Sequence, residues 1–216
     1  MKKQIFMDGF RLMLERFGPR GWWPGETPFE VMVGAILTQN TNWKNVEKAI
    51  ANLKREGVLD PQELLDLSPA RLASLIRPAG YFRVKAKRLR SFLKYFVENY
   101  EGNARKMAKR ELPKLREELL AVNGIGPETA DSILLYALKK PVFVIDAYTK
   151  RILSRHGLCA EEDTYDDLQA LFMDRIEGDI PLYNEYHALI VETGKDYCRT
   201  NPRCEECPLN GWNGLP

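Results

Sequence analysis

Leu120-Ala-Val-Asn-Gly-Ile-Gly-Pro-Glu-Thr-Ala-Asp131 places a glycine-rich corner between two helical patterns. Before it, Pro113 opens a helix that turns Leu115, Leu119, Leu120 and Val122 inward. After it, Pro127-Glu128-Thr129 opens a second helix carrying Ala130, Ile133, Leu134 and Ala137. Between them Asn123-Gly-Ile-Gly126 forms a tight turn. Its two glycines permit a partly left-handed backbone that leaves N–H groups pointing outward at the start of the second helix. Geometry and helix dipole together make such a corner attractive to an anion, and a nucleic-acid phosphate is the candidate. An ordinary helix–helix corner shares the local pattern, so the hairpin alone decides nothing.

Outward from the hairpin the chain reads as helix almost throughout, with no sustained period-two alternation. Ile5, Phe6, Phe10, Leu12, Met13 and Phe17 stripe an opening helix that Gly18-Pro19 closes. Phe29 to Thr38 reads as a buried helix between Pro28 and the polar Gln39-Asn40-Thr41. Val46, Ile50 and Leu53 mark the next helix, and Asp60-Pro61 and Ser68-Pro69 are two capped helix starts. Leu89, Phe92, Leu93, Phe96, Val97 and Tyr100 form an unbroken apolar face. Pro141 to Ile145 is the one run with strand-like composition. Asp146 follows it at the start of a helix over Ala147 to Arg155, and N-capping is its local role. Helices over Tyr165 to Ile176 and Tyr183 to about Gly194 complete the chain.

With 216 residues, 44% of them apolar, the chain can bury a real core as one large or two small domains. Its formal charge of +2 makes no case for a nucleic-acid partner. The distribution does: Arg77 to Arg116 holds thirteen Lys/Arg against three acids, leaving 19 bases and 27 acids elsewhere. A basic, salt-sensitive, phosphate-facing surface is therefore expected along that quarter. Asp8 interrupts the opening MKKQIFMDGF before a signal-peptide core can form, and the longest apolar run, Val31 to Leu37, is far too short to cross a bilayer. We expect a soluble, non-exported, cytoplasmic protein with no membrane partner, nucleoid-associated if the cell is prokaryotic. Cys198, Cys204 and Cys207 fall within ten residues, which suits a metal site in a reducing compartment better than a disulfide frame.

The hairpin, Val144-Ile-Asp146 some twenty residues on, and the terminal Cys198-x5-Cys204-x2-Cys207 together resemble the helix-hairpin-helix DNA glycosylases of the endonuclease III superfamily. The resemblance runs from about Pro28 to Cys207. Leu37-Thr-Gln-Asn-Thr41 looks like the family's DNA-wedge loop, and Gly80-Tyr-Phe-Arg-Val-Lys-Ala86 is similar to a second backbone-contacting turn. Trp22-Trp23-Pro24, the wedge loop and Gly124-Ile-Gly-x-Glu128-x-Ala-Asp131 look most like 3-methyladenine DNA glycosylase III. The implied fold is all-α in two lobes: residues 21–140 as a helical barrel, residues 1–20 with 141–216 as a second domain, and a DNA cleft between them.

The resemblance implies that the enzyme flips a damaged nucleotide out of duplex DNA and hydrolyses its N-glycosidic bond. Gln39, with Asn40 beside it, would plug the gap. Lys85, Gly124, Ile125, Gly126 and Thr129 would contact the DNA backbone. Asp146 matches the catalytic aspartate, whose carboxylate stabilises positive charge on the sugar and orients water. Relatives that also cut the strand carry a lysine nucleophile where this sequence has Glu128, and nothing places Lys139 or Lys140 in the pocket, so an abasic site is the expected product. Trp22, Trp23, Trp43 and Glu128 would line the base pocket, since electron-rich rings suit a cationic alkylated purine.

Cys198, Cys204 and Cys207 match the start of the superfamily's four-cysteine loop for a 4Fe-4S cluster. The fourth cysteine, expected near Asn213, is missing; Cys159 is the remaining thiol, and zinc is the other chemistry open to such a set. His156 and His187 lie on helices without ligand spacing and read as structural. We expect a monomer acting on double-stranded DNA. Two alternatives stay open: a glycosylase for oxidised or mismatched bases, and a non-catalytic helix-hairpin-helix DNA-binding protein.

Overall fold

The structure is a computed structural model and describes residues 2–21 and 25–215. The chain divides into two compact units, residues 24–140 and residues 1–23 with 141–216. Among the described residues there are helices and turns and no strand.

The hairpin unit contains helices that follow α1, which belongs to the other unit and spans Lys2–Phe17. They are α2 (Pro28–Leu37), α3 (Trp43–Arg55), α4 (Pro61–Asp66), α5 (Pro69–Leu75), α6 (Phe82–Tyr100), α7 (Ala104–Ala108), α8 (Leu112–Ala121) and α9 (Pro127–Ser132), which runs on into a π-helical turn over Ile133–Ala137. Thr27, Asn42, Asp60, Ser68 and Asn103 cap their helices with side-chain oxygens on early N–H groups. α2 is the centre of this unit: every residue from Phe29 to Leu37 is buried, which is why its sequence shows no polar face. Phe29 stacks on Phe96, and Phe96 on Phe92. Glu30, buried at the start of α2, is charge-paired with Lys54 at 2.9 Å. In α6, Leu89, Phe92, Leu93 and Phe96 are buried as the periodicity requires. Leu120, expected inward, is exposed; Leu115 and Leu119 alone carry the inner face of α8.

The second unit joins α1 to α10 (Ala147–Arg155), α11 (Tyr165–Met173) and α12 (Ile180–Asp196). Its core is aromatic. Phe143 stacks on Phe172 at 4.0 Å, Phe6 meets Phe172 edge-on, and the Tyr186 hydroxyl donates to the Phe6 carbonyl at 2.6 Å. Pro141 to Ile145 is not a strand. Val142 to Ile145 are buried, but side chains take up main-chain groups there: Gln169 donates to Phe143 O at 2.6 Å, and Ile145 N–H donates to the Tyr165 hydroxyl. Trp212 closes the chain's end onto α1, its indole N–H donating to Ile5 O at 2.9 Å. A Cβ at Gly9 would lie 2.8 Å from that ring, so the contact needs glycine there.

Candidate active site and nucleic-acid interface

Asp146 follows the buried residues Val142 to Ile145 and caps α10. Its Oδ1 accepts from Thr149 N–H at 2.7 Å and from the Thr149 hydroxyl at 2.8 Å, a reciprocal capping box. The second oxygen, Oδ2, lies 3.6 Å from Nε2 of His187 on α12. Burial alone would raise this carboxyl's pKa; the His187 contact and the Thr149 hydrogen bonds outweigh it and hold the group below its ordinary value of 3.8. Asp146 is thus a buried carboxylate kept ionised, with one oxygen fixed by the helix and the other beside an imidazole. Capping and charge presentation coexist in one side chain. His187, read as structural from sequence, is the neighbour that nothing in its spacing revealed.

The hairpin forms as expected, with one correction. Gly124 is left-handed at φ +87°, but Gly126 has φ −94°, which any residue could adopt. Their reasons differ. A Cβ at Gly124 would strike the stem of Arg88, 2.2 Å from its Cγ, whereas one at Gly126 would meet nothing within 4 Å. Gly126 is the N-cap of α9, and neither its backbone nor its surroundings demand glycine. Arg116 grips Asp131 through two hydrogen bonds of 2.9 and 3.1 Å and fixes α8 against α9; Asp131 is fully buried.

The 38–41 loop is tied to the hairpin. Gln39 Nε2 donates to Gly124 O at 3.0 Å and to the Thr129 hydroxyl at 2.9 Å, while Arg88 donates to Gln39 Oε1. Gln39 is half-buried by these bonds, and Asn40, left-handed at φ +52°, is exposed beside it. Ile125 and Thr129 are buried and support the turn from beneath. Lys85 is corrected outright: it is 1% exposed and cannot reach a phosphate. Its ammonium donates instead to Leu37 O at 2.8 Å and Ala79 O at 2.7 Å. The outward residue of that turn is Tyr81, 72% exposed on left-handed backbone at φ +45°. The only sequence hint for it is an aromatic directly after Gly80.

The basic quarter is also less outward than its charge suggests. Besides Lys85 and Arg88, Arg90 donates to the carbonyls of Leu65 and Leu67, and Arg110 pairs with Glu118. Arg83, Lys87, Arg105, Lys109 and Lys114 are exposed. Glu118 also accepts from the hydroxyls of Tyr95 and Tyr100.

Among the proposed pocket residues, Trp43 is half-buried in the first turn of α3, with its indole N–H donating to Glu47 at 2.9 Å. Glu128 is exposed in the first turn of α9. Trp22 and Trp23 lie outside the described residues, but the loop before them is held: the Glu185 carboxylate accepts from Arg20 N–H and Gly21 N–H.

Cys198, Cys204 and Cys207 line one pocket with Arg155, His156 and Tyr197, and Cys159 is not part of it. Burial and the two neighbouring thiols raise the pKa of Cys207. A 4Fe-4S cluster of the implied kind needs four thiolates. Here three thiols face a cavity of about 30 Å³, the room of a water or two, and Arg155 donates to Cys198 Sγ at 3.3 Å. Asn213, at the place of the fourth cysteine, turns its amide to His156 O at 3.0 Å. Among the described residues no group of three His, Cys, Asp or Glu is placed to hold a metal. The set does not fit a four-thiolate cluster.

A helix-hairpin-helix, an ionised aspartate capping the helix some twenty residues on, and an all-α two-unit fold define a class of DNA repair proteins. The chain belongs to the HhH-GPD superfamily of base excision DNA repair proteins, whose model matches residues 33–177, and it is a DNA glycosylase of the endonuclease III-like family. It is 51% identical over 210 residues, 96% of this chain and 95% of the other, to a Methanocaldococcus jannaschii protein whose name assigns it to the DNA repair glycosylases. It is 34% identical to the endonuclease III of Thermotoga maritima, over 84% of this chain and 80% of that one. Among solved structures, the Helicobacter pylori 3-methyladenine DNA glycosylase bound to 1,N6-ethenoadenine aligns with TM-score 0.75 and 31% identity, covering 90% of this chain and 97% of that one.

Proposed function

We propose that this glycosylase is monofunctional and releases alkylated purines of the 3-methyladenine type from duplex DNA. The observation that carries the reading is Glu128, exposed in the first turn of α9 where strand-cutting relatives place a lysine. A carboxylate cannot form the Schiff base that opens the sugar, so water is the nucleophile and an abasic site the product. Asp146 supports the same chemistry: its ionised carboxylate stabilises the oxocarbenium-like sugar as the base departs and accepts the proton of the attacking water. An alkylated, cationic purine is a good leaving group and needs no strong general acid. Trp43 supplies an aromatic face for it, worth about 1–2 kcal/mol when desolvated. The 31% identity to a 3-methyladenine glycosylase supports this substrate class. Gln39 and Asn40 fill the gap left by the flipped nucleotide, and the Tyr81 ring stacks on exposed bases.

The experiment is a set of duplexes, each with one lesion, incubated with the protein and then split with and without alkali. Breaks at alkylated purines that appear only after alkali are expected. A covalent protein–DNA adduct trapped by borohydride would overturn the monofunctional reading. The 34% identity to an endonuclease III favours a second substrate class, oxidised pyrimidines, and cleavage of that duplex alone would establish it instead. The cysteine pocket takes no part in base release in this reading, so protein treated with a chelator should keep its excision rate.

A further inference from the structure

Lys85 and Arg88 lie one turn apart on α6, in the stretch richest in positive charge; Lys85 ends inside the protein and Arg88 is half-buried against Gln39. The ammonium of Lys85 joins two segments. Leu37 is the last residue of α2, and its carbonyl is one of those that have no partner within the helix. Ala79 precedes a turn in which Gly80 and Tyr81 are both left-handed, at φ +68° and +45°. Arg88 joins the other two: its guanidinium holds Gln39, and its stem packs where any side chain at Gly124 would sit. Gln39 continues the chain of bonds to Gly124 O and the Thr129 hydroxyl. The 38–41 loop, the turn at 80–81 and the hairpin each contain a left-handed residue, and these two cations span all three.

We propose that Lys85 and Arg88 are positioning residues that bolt the wedge loop, the second turn and the hairpin into one preorganised platform, on which nucleotide extrusion depends although neither side chain touches DNA. This rests on reading those three segments as DNA-engaging. A buried cation whose partners are carbonyls is costly to the folded state, and burial with the charge of Arg88 pushes the Lys85 pKa down to about 8. An apolar side chain would fill the same space at lower cost, but it would leave the Leu37 and Ala79 carbonyls unpaired and the turn unheld. Arg88 acts on Gln39 in the same sense. The plugging side chain is oriented before DNA arrives, so its ordering is not charged against extrusion.

The test uses the full chain with Arg88→Gln, Arg88→Lys and Lys85→Met. Base release is measured in single turnover on one alkylated purine placed in a duplex and in a single strand, where no neighbour must be unstacked. A second probe, a duplex with a tetrahydrofuran abasic site beside 2-aminopurine, reads unstacking by fluorescence without any chemistry. For R88Q and K85M we expect duplex excision to fall about 10- to 100-fold, with the 2-aminopurine signal falling alongside it, and single-strand excision to stay within about threefold of wild type. R88K, which keeps the charge but loses the planar fork, should not rescue. Equal losses on both substrates would reduce the two residues to fold stability and overturn the proposal, as would full duplex activity in R88Q. Wild-type protein inert on both substrates would bring down the alkylated-purine reading, and the 2-aminopurine duplex would still report on the two ties.

Discussion

α6 and α10 each use two cations on one face to gather oxygen acceptors from other segments, and they gather very different things. On α6, Lys85 and Arg88 reach the end of α2, the turn at Ala79 and the Gln39 side chain. On α10, Arg151 donates to the carbonyls of Cys198 and Gly194 at 2.7 and 3.1 Å, and Arg155 to those of Arg199 and Thr200. The first clamp sits under the segments proposed to meet DNA; the second holds the cysteine loop. What separates them is not the kind of bond but what the clamped segment does afterwards. A cation in a basic stretch is therefore no evidence of a phosphate contact until its carbonyl neighbours are known. A cysteine loop, likewise, has two arginines to hold it where four thiolates are lacking.

The largest effect that sharpens this contrast lies at the N-terminal end of α10. Asp146→Asn keeps an oxygen for the Thr149 N–H and so keeps the cap, but removes the charge. Base release in single turnover should fall about 10²- to 10⁴-fold with an unchanged melting temperature. A rate near wild type would remove Asp146 from the chemistry and leave α10 a purely structural helix. The pH dependence follows from the direction of its shift. The folded-state pKa lies below 3.8, so the carboxylate's contribution to stability is complete above 3.8 and is lost as pH falls through the lower folded value. An acid limb in the excision rate between pH 5 and 7 would have to come from another group.

The helix boundaries, the hairpin and Asp146 were legible because each rests on local rules. Proline sits at the first helical positions of α2, α4, α5 and α9, apolar residues recur at helical spacing, and a capping aspartate follows an apolar run. What failed was everything decided by partners far along the chain. Lys85 reads as a surface cation because burial depends on carbonyls 48 and 6 residues away. The approach of His187 to Asp146 is invisible in sequence because the two lie on different elements. Pro141 to Ile145 has strand-like composition because it is apolar and rich in β-branched residues, and only Gln169 and Tyr165 show what takes up its main-chain groups instead of a second strand. The hairpin glycines look equivalent in sequence and are not, since one avoids Arg88 and the other faces open space.

The two clamps should also separate in what their loss does. Arg155→Met removes donors to two carbonyls and to Cys198 Sγ, and is expected to cost about 0.5–1.5 kcal/mol of stability. Its melting temperature should drop while base release per folded molecule stays at wild type. That is the reverse of the pattern expected for Arg88→Gln. If excision fell with Arg155→Met at a temperature where the protein is fully folded, the cysteine loop would be coupled to the chemistry and the contrast between α6 and α10 would collapse.

The smallest expected effect concerns how the α6 clamp responds to alkali. Lys85 titrates at about 8 in the folded chain against an ordinary 10.5, so between those values the unfolded chain binds the extra proton. Stability contributed through this residue therefore rises with pH across that window and is at its lowest below pH 8. Compared with Lys85→Met, the wild-type protein should gain stability from pH 8 to 10.5 in chemical denaturation. A neutral amine still has two N–H donors, and the site offers two carbonyls, Leu37 O and Ala79 O, so deprotonation removes the buried charge without opening the tie. A clamp that acts by geometry thus predicts unstacking of the 2-aminopurine duplex that does not change as Lys85 loses its proton. A clamp that acted by charge would fail there, and a fall in unstacking centred near pH 8 that vanishes in Lys85→Met would show it.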